Sequence, residues 1–166
     1  MIAPAIKHRE KMKKKFKITA GDFFYIKLDE GAFVVGQVLF VPDGGLPKYL
    51  CSFYRQRFLQ LPTANDLSGL NKSHIISVIF VTPDSLDGRR WPVFANAQPV
   101  GVELRTDLPQ LIKNNYVGSM IIGTANAREF MMAWHGLAIW NDWHDPNFLD
   151  GLLLPGVKRP ENVKMK

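Results

Sequence analysis

The part of the sequence that decides the fold lies at residues 22–41, where the chain has DFFYIKLDEGAFVVGQVLFV. Two runs rich in aromatic and β-branched residues, 23–28 and 32–41, flank the short turn at 29–31. Such runs form strands, and a short loop that contains glycine joins two of them as an antiparallel hairpin. Gly36 lies inside the second run, where a glycine indicates a bulge or a close approach of the backbone. The stretch therefore predicts a β-hairpin.

Further strand patterns follow this hairpin along the chain. We expect strands at 49–54, 74–81, 91–94, 100–104 and 116–122. The run 74–81 is almost continuously apolar, which is typical of a strand that is buried on both faces. Turns with Gly, Pro and Asp separate these runs. The stretch 140–155 is aromatic and irregular, and we expect it to pack back on the sheet.

Two helices are predicted between and after these strands. Asp107 has the position of an N-cap for a short helical turn at 108–114. Asn126 opens the pattern N-x-x-E, which predicts an N-cap for a helix over 127–135. Gly136 then has the position of the C′ residue that ends a helix. Many short strands and one main helix predict a mainly β (α+β) domain, either a small, partly open β-barrel or a strongly curved sheet.

The charge of the chain is concentrated at its two ends. The formal net charge is +6, and residues 1–17 alone carry seven bases and one acid. Residues 158–166 carry four bases and one acid, so the body between the ends has a net charge of −3. We therefore expect a basic, flexible arm at 1–15, a single globular domain at 16–157 and a basic tail at 158–166. The basicity is not a property of the folded surface.

Several features place the chain among cytoplasmic proteins that carry no cofactor. The single cysteine, Cys51, excludes an internal disulfide, which is compatible with a reducing compartment. No apolar run is long enough for a signal peptide or a membrane span. The histidines have no metal-binding spacing, and the phosphate-loop, dinucleotide and nucleophile-elbow motifs are absent. We expect no metal, no cofactor and no catalytic residue, although catalytic groups from distant loops stay possible.

Two segments combine aromatic and charged side chains in the way that binding sites do. The first has Arg89 and Arg90 before Trp91, and Arg and Trp are enriched in the centres of interfaces. The second is the loop at 140–146, with the candidate partner-binding residues Asp142, Trp143, His144 and Asp145. The acids and the imidazole of this loop have other interpretations as well. They could form a general-base pair, form a metal site, or simply cap turns.

The chain resembles the bacterial immunity protein 26 family near both ends of the domain, over residues 17–41 and 119–155. The resemblance rests on a Gly-Asp-x-Phe strand at 21–24, an Asp/Gly turn and a Gly-x-Val return strand at 36–38. It extends to the segment from Gly136 to Trp140 and to the residues at 146–155. The resemblance implies a cytoplasmic protein that neutralises a cognate toxin of bacterial competition by direct binding. It implies no catalytic residues. SH3-like barrels begin with a similar hairpin.

Three functional hypotheses follow from these patterns. The first is the immunity-type protein, whose acidic body would attract a basic toxin. The second is a nucleic-acid-binding SH3-like barrel that uses the Lys-rich arm together with exposed aromatics at Tyr25, Phe53 and Tyr54. The third is a hydrolase built around the acids and the histidine of the loop at 140–146. We favour binding of a toxin protein, because the residues form no recognisable catalytic constellation.

Overall fold

One open β-sheet forms the frame of the protein. The structure is a computed structural model, and it describes residues 17–43, 48–87, 90–102 and 107–166. Within them the strands are β1 (Asp22–Lys27), β2 (Phe33–Phe40), β3 (Tyr49–Tyr54), β4 (Ile75–Val81), β5 (Val93–Asn96) and β6 (Ile121–Ile122). Their order across the sheet is β5-β1-β2-β3-β4-β6, and only the β4–β6 pair is parallel. The protein is therefore a mixed α+β protein, and in the described residues β5 and β6 form two free edges.

The opening hairpin has the predicted form. Phe24 of β1 lies opposite Gly36 of β2, and the turn between the strands is closed by a 2.7 Å bond from the Leu28 amide to the Ala32 carbonyl. Gly31 adopts φ +78° in that turn, which glycine does without steric cost. Gly36 is needed for a different reason: a Cβ atom there would collide with the Phe24 ring and lie 2.6 Å from the Ser52 carbonyl oxygen. The predicted close approach is confirmed.

Two of the predicted strands differ in the structure. The strand expected at 116–122 is wrong except for β6, because Asn115 and Tyr116 both have positive φ and turn the chain sharply. Of the strand expected at 100–104, residues 100–102 are irregular, and the rest lies outside the described residues. The strand expected at 91–94 is shifted to β5, which pairs with β1.

Three α-helices are present in the described residues, together with short 3-10 helices at Ala64–Gly69, Lys72–His74 and Pro83–Ser85. Helix α1 (Leu108–Lys113) begins as predicted, since the Asp107 side chain accepts from the Gln110 amide at 3.1 Å. Helix α2 (Thr124–Trp134) begins after Gly123, so the prediction of Asn126 as its N-cap is wrong. Its first turn is fixed by tertiary contacts instead, because the Thr124 hydroxyl bonds Ser85 and Asp84 at 2.6 and 3.0 Å. Gly136 has φ +73° after α2, as predicted, and α3 (Phe148–Leu152) is short.

The two faces of the sheet carry different parts of the core. Successive residues of a strand point to opposite faces, so Phe23 and Phe24 belong to separate clusters. The larger cluster joins Phe24 and its neighbours to the buried residues of α2 and to Trp140. The smaller one contains Phe23, Val35, Tyr54, Ile75 and Leu154. Strand β4 is buried on both faces, as its continuous apolar run predicts.

The segment after α2 packs back on the sheet. The Leu154 amide donates to the Ile76 carbonyl at 2.9 Å, and the Ser77 hydroxyl donates to the Leu152 carbonyl at 2.5 Å. The tail at 158–166 lies against the same body. The Trp140 amide donates to the Lys164 carbonyl, and Val163 is buried in the larger cluster. No helix in the described ranges has the length and apolarity that crossing a bilayer requires.

Candidate partner-binding surface

Arg90 lies three residues before β5, which begins at Val93. Its side chain is exposed, and its Nη1 atom lies 3.6 Å from a carboxylate oxygen of Asp84. Hydrogen bonds from the Thr82 and Thr124 hydroxyls, together with the charge of Arg90, lower the pKa of Asp84 below its ordinary value. This carboxylate therefore stays ionised and holds the guanidinium at the surface. Arg89, the other predicted residue of this segment, lies outside the described residues.

The second predicted segment, after Trp140, forms an ordered loop. Asp142 accepts from the Lys166 ammonium at 2.9 Å, and the Trp143 ring packs on Phe148 with 4.8 Å between ring centroids. Asp145 accepts from the amide of residue 147 at 2.9 Å and so caps a turn. His144 is exposed. Asp145 thus matches the interpretation of a turn-capping acid, while Asp142 pairs with a lysine and not with the imidazole of His144.

The structure brings these two segments to one surface. Two depressions of about 580 and 440 Å³ lie on either side of α2. The first is lined by Arg90, Trp91 and Arg128, and the second by Glu129, Asp142 and Trp143, and Asp29 of the β1–β2 turn lines both. We call this combined surface the α2 saddle. His144 and Asp145 follow it in the chain but do not line either depression.

The charges of the α2 saddle are ordered along its length. Lys27 and Arg90 belong to one depression, while Glu129 and Asp142 belong to the other. Between them, Arg128 forms a 2.7 Å ion pair with Asp29 and also donates to the Lys27 carbonyl at 3.0 Å. These bonds fix the hairpin turn on α2. The surface therefore has a basic end and an acidic end, at which Arg90 also pairs with Asp84 and Asp142 with Lys166.

The central residues of this surface were not predicted from the sequence to belong to a site. Asp29 appeared only as part of a turn, and Arg128 and Glu129 only as part of a helix pattern. A signal was nevertheless present, because the apolar residues at 127, 130, 131 and 134 leave 128 and 129 on the outer side of the helix. What the pattern cannot provide is the partner element, since the turn that meets Arg128 lies 99 residues earlier in the chain.

A second site was not predicted at all. Lys48 is only 5% exposed, and its ammonium donates to the Ser119 hydroxyl at 2.7 Å. It also lies over two aromatic rings, 4.9 Å from the centroid of Phe80 and 4.5 Å from that of Tyr116. Burial lowers the pKa of this lysine. Within the described ranges no carboxylate forms an ion pair with it.

The core holds the single cysteine and two of the three aromatic side chains proposed for base stacking. Cys51 is fully buried, and burial raises the pKa of its thiol, so it stays protonated in the core. Phe53 and Tyr54 are fully buried, so the expectation that they are exposed is wrong. Tyr25 is half-buried against Phe33. The described residues contain no group of three or more His, Cys, Asp or Glu placed to hold a metal ion.

The Lys-rich arm of the nucleic-acid hypothesis lies outside the described residues. Compared with protein-family models, with curated proteins and with solved structures, the chain matches none of them.

Proposed function

We propose that this protein is an immunity-type binding protein, which neutralises a cognate bacterial toxin by holding it against the α2 saddle. The observation that carries the proposal is that Arg90 lines one depression, Asp142 and Trp143 line the other, and Asp29 lines both. Arg90 is far from Asp142 and Trp143 in the sequence, and the sequence alone predicts all three as partner-binding residues. The resemblance to the immunity family supplies the kind of partner.

The chemistry of the surface favours a protein partner. Arg and Trp side chains at the centre of an interface contribute most of its binding free energy, because each offers a large contact area and a donor group. Trp143 is already half-buried against Phe148, so its ring loses little conformational entropy on binding. A basic end and an acidic end orient a partner of complementary charge and raise its association rate.

The proposal also includes a curved shape for the sheet. Register shifts interrupt the pairing of β1 with β5, of β2 with β3 and of β3 with β4. Such bulges increase the local twist of a sheet. They support a strongly curved, partly open barrel, whose rigid wall carries α2 and the saddle. We place the protein in the cytoplasm, where it would meet a toxin that has entered the cell.

Crosslinked affinity purification of the tagged protein from its native host tests this function. We expect stoichiometric recovery of one toxin protein, identified by mass spectrometry. Expression of that toxin should arrest growth, and co-expression of this protein should restore it. Recovery of ribosomal or nucleoid material that nuclease treatment removes would instead favour nucleic acid as the partner of the basic arm. Recovery of no toxin would contradict the proposal.

A further inference from the structure

A gap in the outer edge of β4 opens into an apolar cavity. Strand β6 covers this edge at Phe80 and Val81, while the C-terminal segment bonds it at Ile76 and Ser77. Val78 and Ile79 lie between the two covers and line a cavity of about 230 Å³. The remaining walls are mainly apolar and come from β3, α1, the loop before β6 and the segment at 151–154. They include Leu50, Leu108, Leu111, Met120, Leu152 and Leu154.

One end of this cavity lies against the side chains that surround the Lys48 ammonium. Ser119 and Phe80 both line the cavity, and both contact the buried ammonium. Taking an ammonium out of water costs free energy, which a hydroxyl and two ring faces offset only in part. The Ser119 hydroxyl also donates to the Tyr116 carbonyl at 2.8 Å, so it has an acceptor of its own. An anionic group at this end would supply the missing compensation.

The loop at 115–119 contacts the Lys48 ammonium through Tyr116 and Ser119, and its backbone is unusual. Asn115 and Tyr116 have φ values of +51° and +61°, in the left-handed region that non-glycine residues seldom adopt. A 2.7 Å bond from the Tyr116 amide to the Leu111 carbonyl ties this loop to α1. Backbone strain of this kind persists where surrounding contacts hold it, and it is enriched at ligand sites. Here it places the Tyr116 ring over Lys48.

We propose that this cavity binds a small apolar carboxylic acid, with its hydrocarbon body between β4 and α1 and its carboxylate at the Lys48 ammonium. The size fits, because an apolar cavity of about 150 Å³ already accommodates benzene. The charge fits a single carboxylate, because no charged side chain lines the cavity and one lysine lies at its end. This inference is independent of toxin binding, since the cavity and the α2 saddle share no residue.

Titration calorimetry with two matched probes, octanoate and octanol, tests the proposal. They share the same hydrocarbon body and differ in the charged group. We expect the wild-type protein to bind octanoate at least 10-fold more tightly than octanol. Equal affinity for the two, or binding of neither, would overturn the proposal. This comparison needs no variant and so does not depend on how a substitution affects folding.

Two variants and a control then locate the site. Lys48→Met keeps the length of the side chain and removes its charge, and it should weaken octanoate binding at least 10-fold while leaving octanol unchanged. Leu111→Trp should fill the cavity and abolish binding of both probes. Lys113→Met, which removes an exposed charge on α1, should bind both probes as the wild type does. Undiminished octanoate binding by folded Lys48→Met or Leu111→Trp, checked by circular dichroism, would refute the assignment.

Discussion

Gly36 and Gln37, two neighbouring residues of β2, show how single side chains hold this sheet together. Gly36 lets the Phe24 ring and the backbone of β3 approach β2 closely. Gln37 is fully buried, and its amide group bonds the carbonyls of Gly21, Ala97 and Gln98 and the amide of Val100. Gly36 was predicted to mark a close approach. The role of Gln37 was not predicted, because the sequence of a strand does not show which distant groups a glutamine will bond.

Gly36→Ala should destabilise the protein by about 1–3 kcal/mol, because the added methyl group overpacks a region that cannot move away. The colliding atoms belong to a buried aromatic ring and to the backbone of β3. The free energy of unfolding in urea measures the effect. Gly69→Ala is the matched control, since a Cβ there meets open space and should change stability by less than about 0.5 kcal/mol. Equal stability of the two variants would show that β2 and β3 are less close than described.

Gln37→Met should cost about 2 kcal/mol or more, because a side chain of similar length leaves several buried backbone groups without a partner. Hydrogen exchange should also show faster exchange of the Val100 amide, which donates to the Gln37 side chain at 3.2 Å. The exposed Gln60 allows a control, since Gln60→Met should change neither quantity. Unchanged exchange at Val100 would argue against the bond.

At the level of elements, the end of α2 shows a competition between two effects. His135 follows the last turn of this helix, where the helix dipole favours a protonated imidazole. Its Nε2 atom is nevertheless buried without a partner. Desolvation by burial, followed by the charge of Arg57, lowers the pKa of His135 from 6.5 to about 4. Burial therefore outweighs the dipole, and the imidazole is neutral in the folded protein.

This shift predicts a pH dependence of stability. Above pH 6.5 the imidazole is neutral in both states, so the contribution of His135 to stability is fully present. As the pH falls from 6.5 to 4, the unfolded chain binds a proton that the folded protein does not, and stability is lost. His135→Gln should flatten this part of the curve of unfolding free energy against pH. A wild-type curve and a variant curve of equal slope over that window would contradict the shift.

Elements with strong local patterns could be predicted from the sequence, and those set by tertiary contacts could not. The opening hairpin, β3, β4 and α1 have the expected places, because alternation, turn residues and a capping side chain determine them locally. Helix α2 begins three residues before the expected start at 127, because its first turn bonds the segment at 84–85. Strand β6 is short because the chain before it turns through two left-handed residues.

On the scale of the whole molecule, the candidate surface depends on parts of the chain that only the fold brings together. Composition and hot-spot chemistry predicted Arg90, Asp142 and Trp143 as partner-binding residues, and the structure places all three at the α2 saddle. Their common neighbour, Asp29, could not be found, because the pairing of the β1–β2 turn with α2 is a long-range contact. The same holds for the cavity beside Lys48, whose walls come from five separate segments.

The most direct test of the α2 saddle compares toxin recovery by three variants of the tagged protein. Arg90→Glu combined with Asp142→Lys reverses both ends of the saddle, and Trp143→Ala removes its aromatic group. Arg55→Glu reverses an exposed arginine that does not line the saddle. If the saddle is the interface, the first two variants lose at least 10-fold in toxin binding and no longer restore growth, while Arg55→Glu behaves as the wild type. Full toxin binding and growth rescue by the two saddle variants would contradict the account.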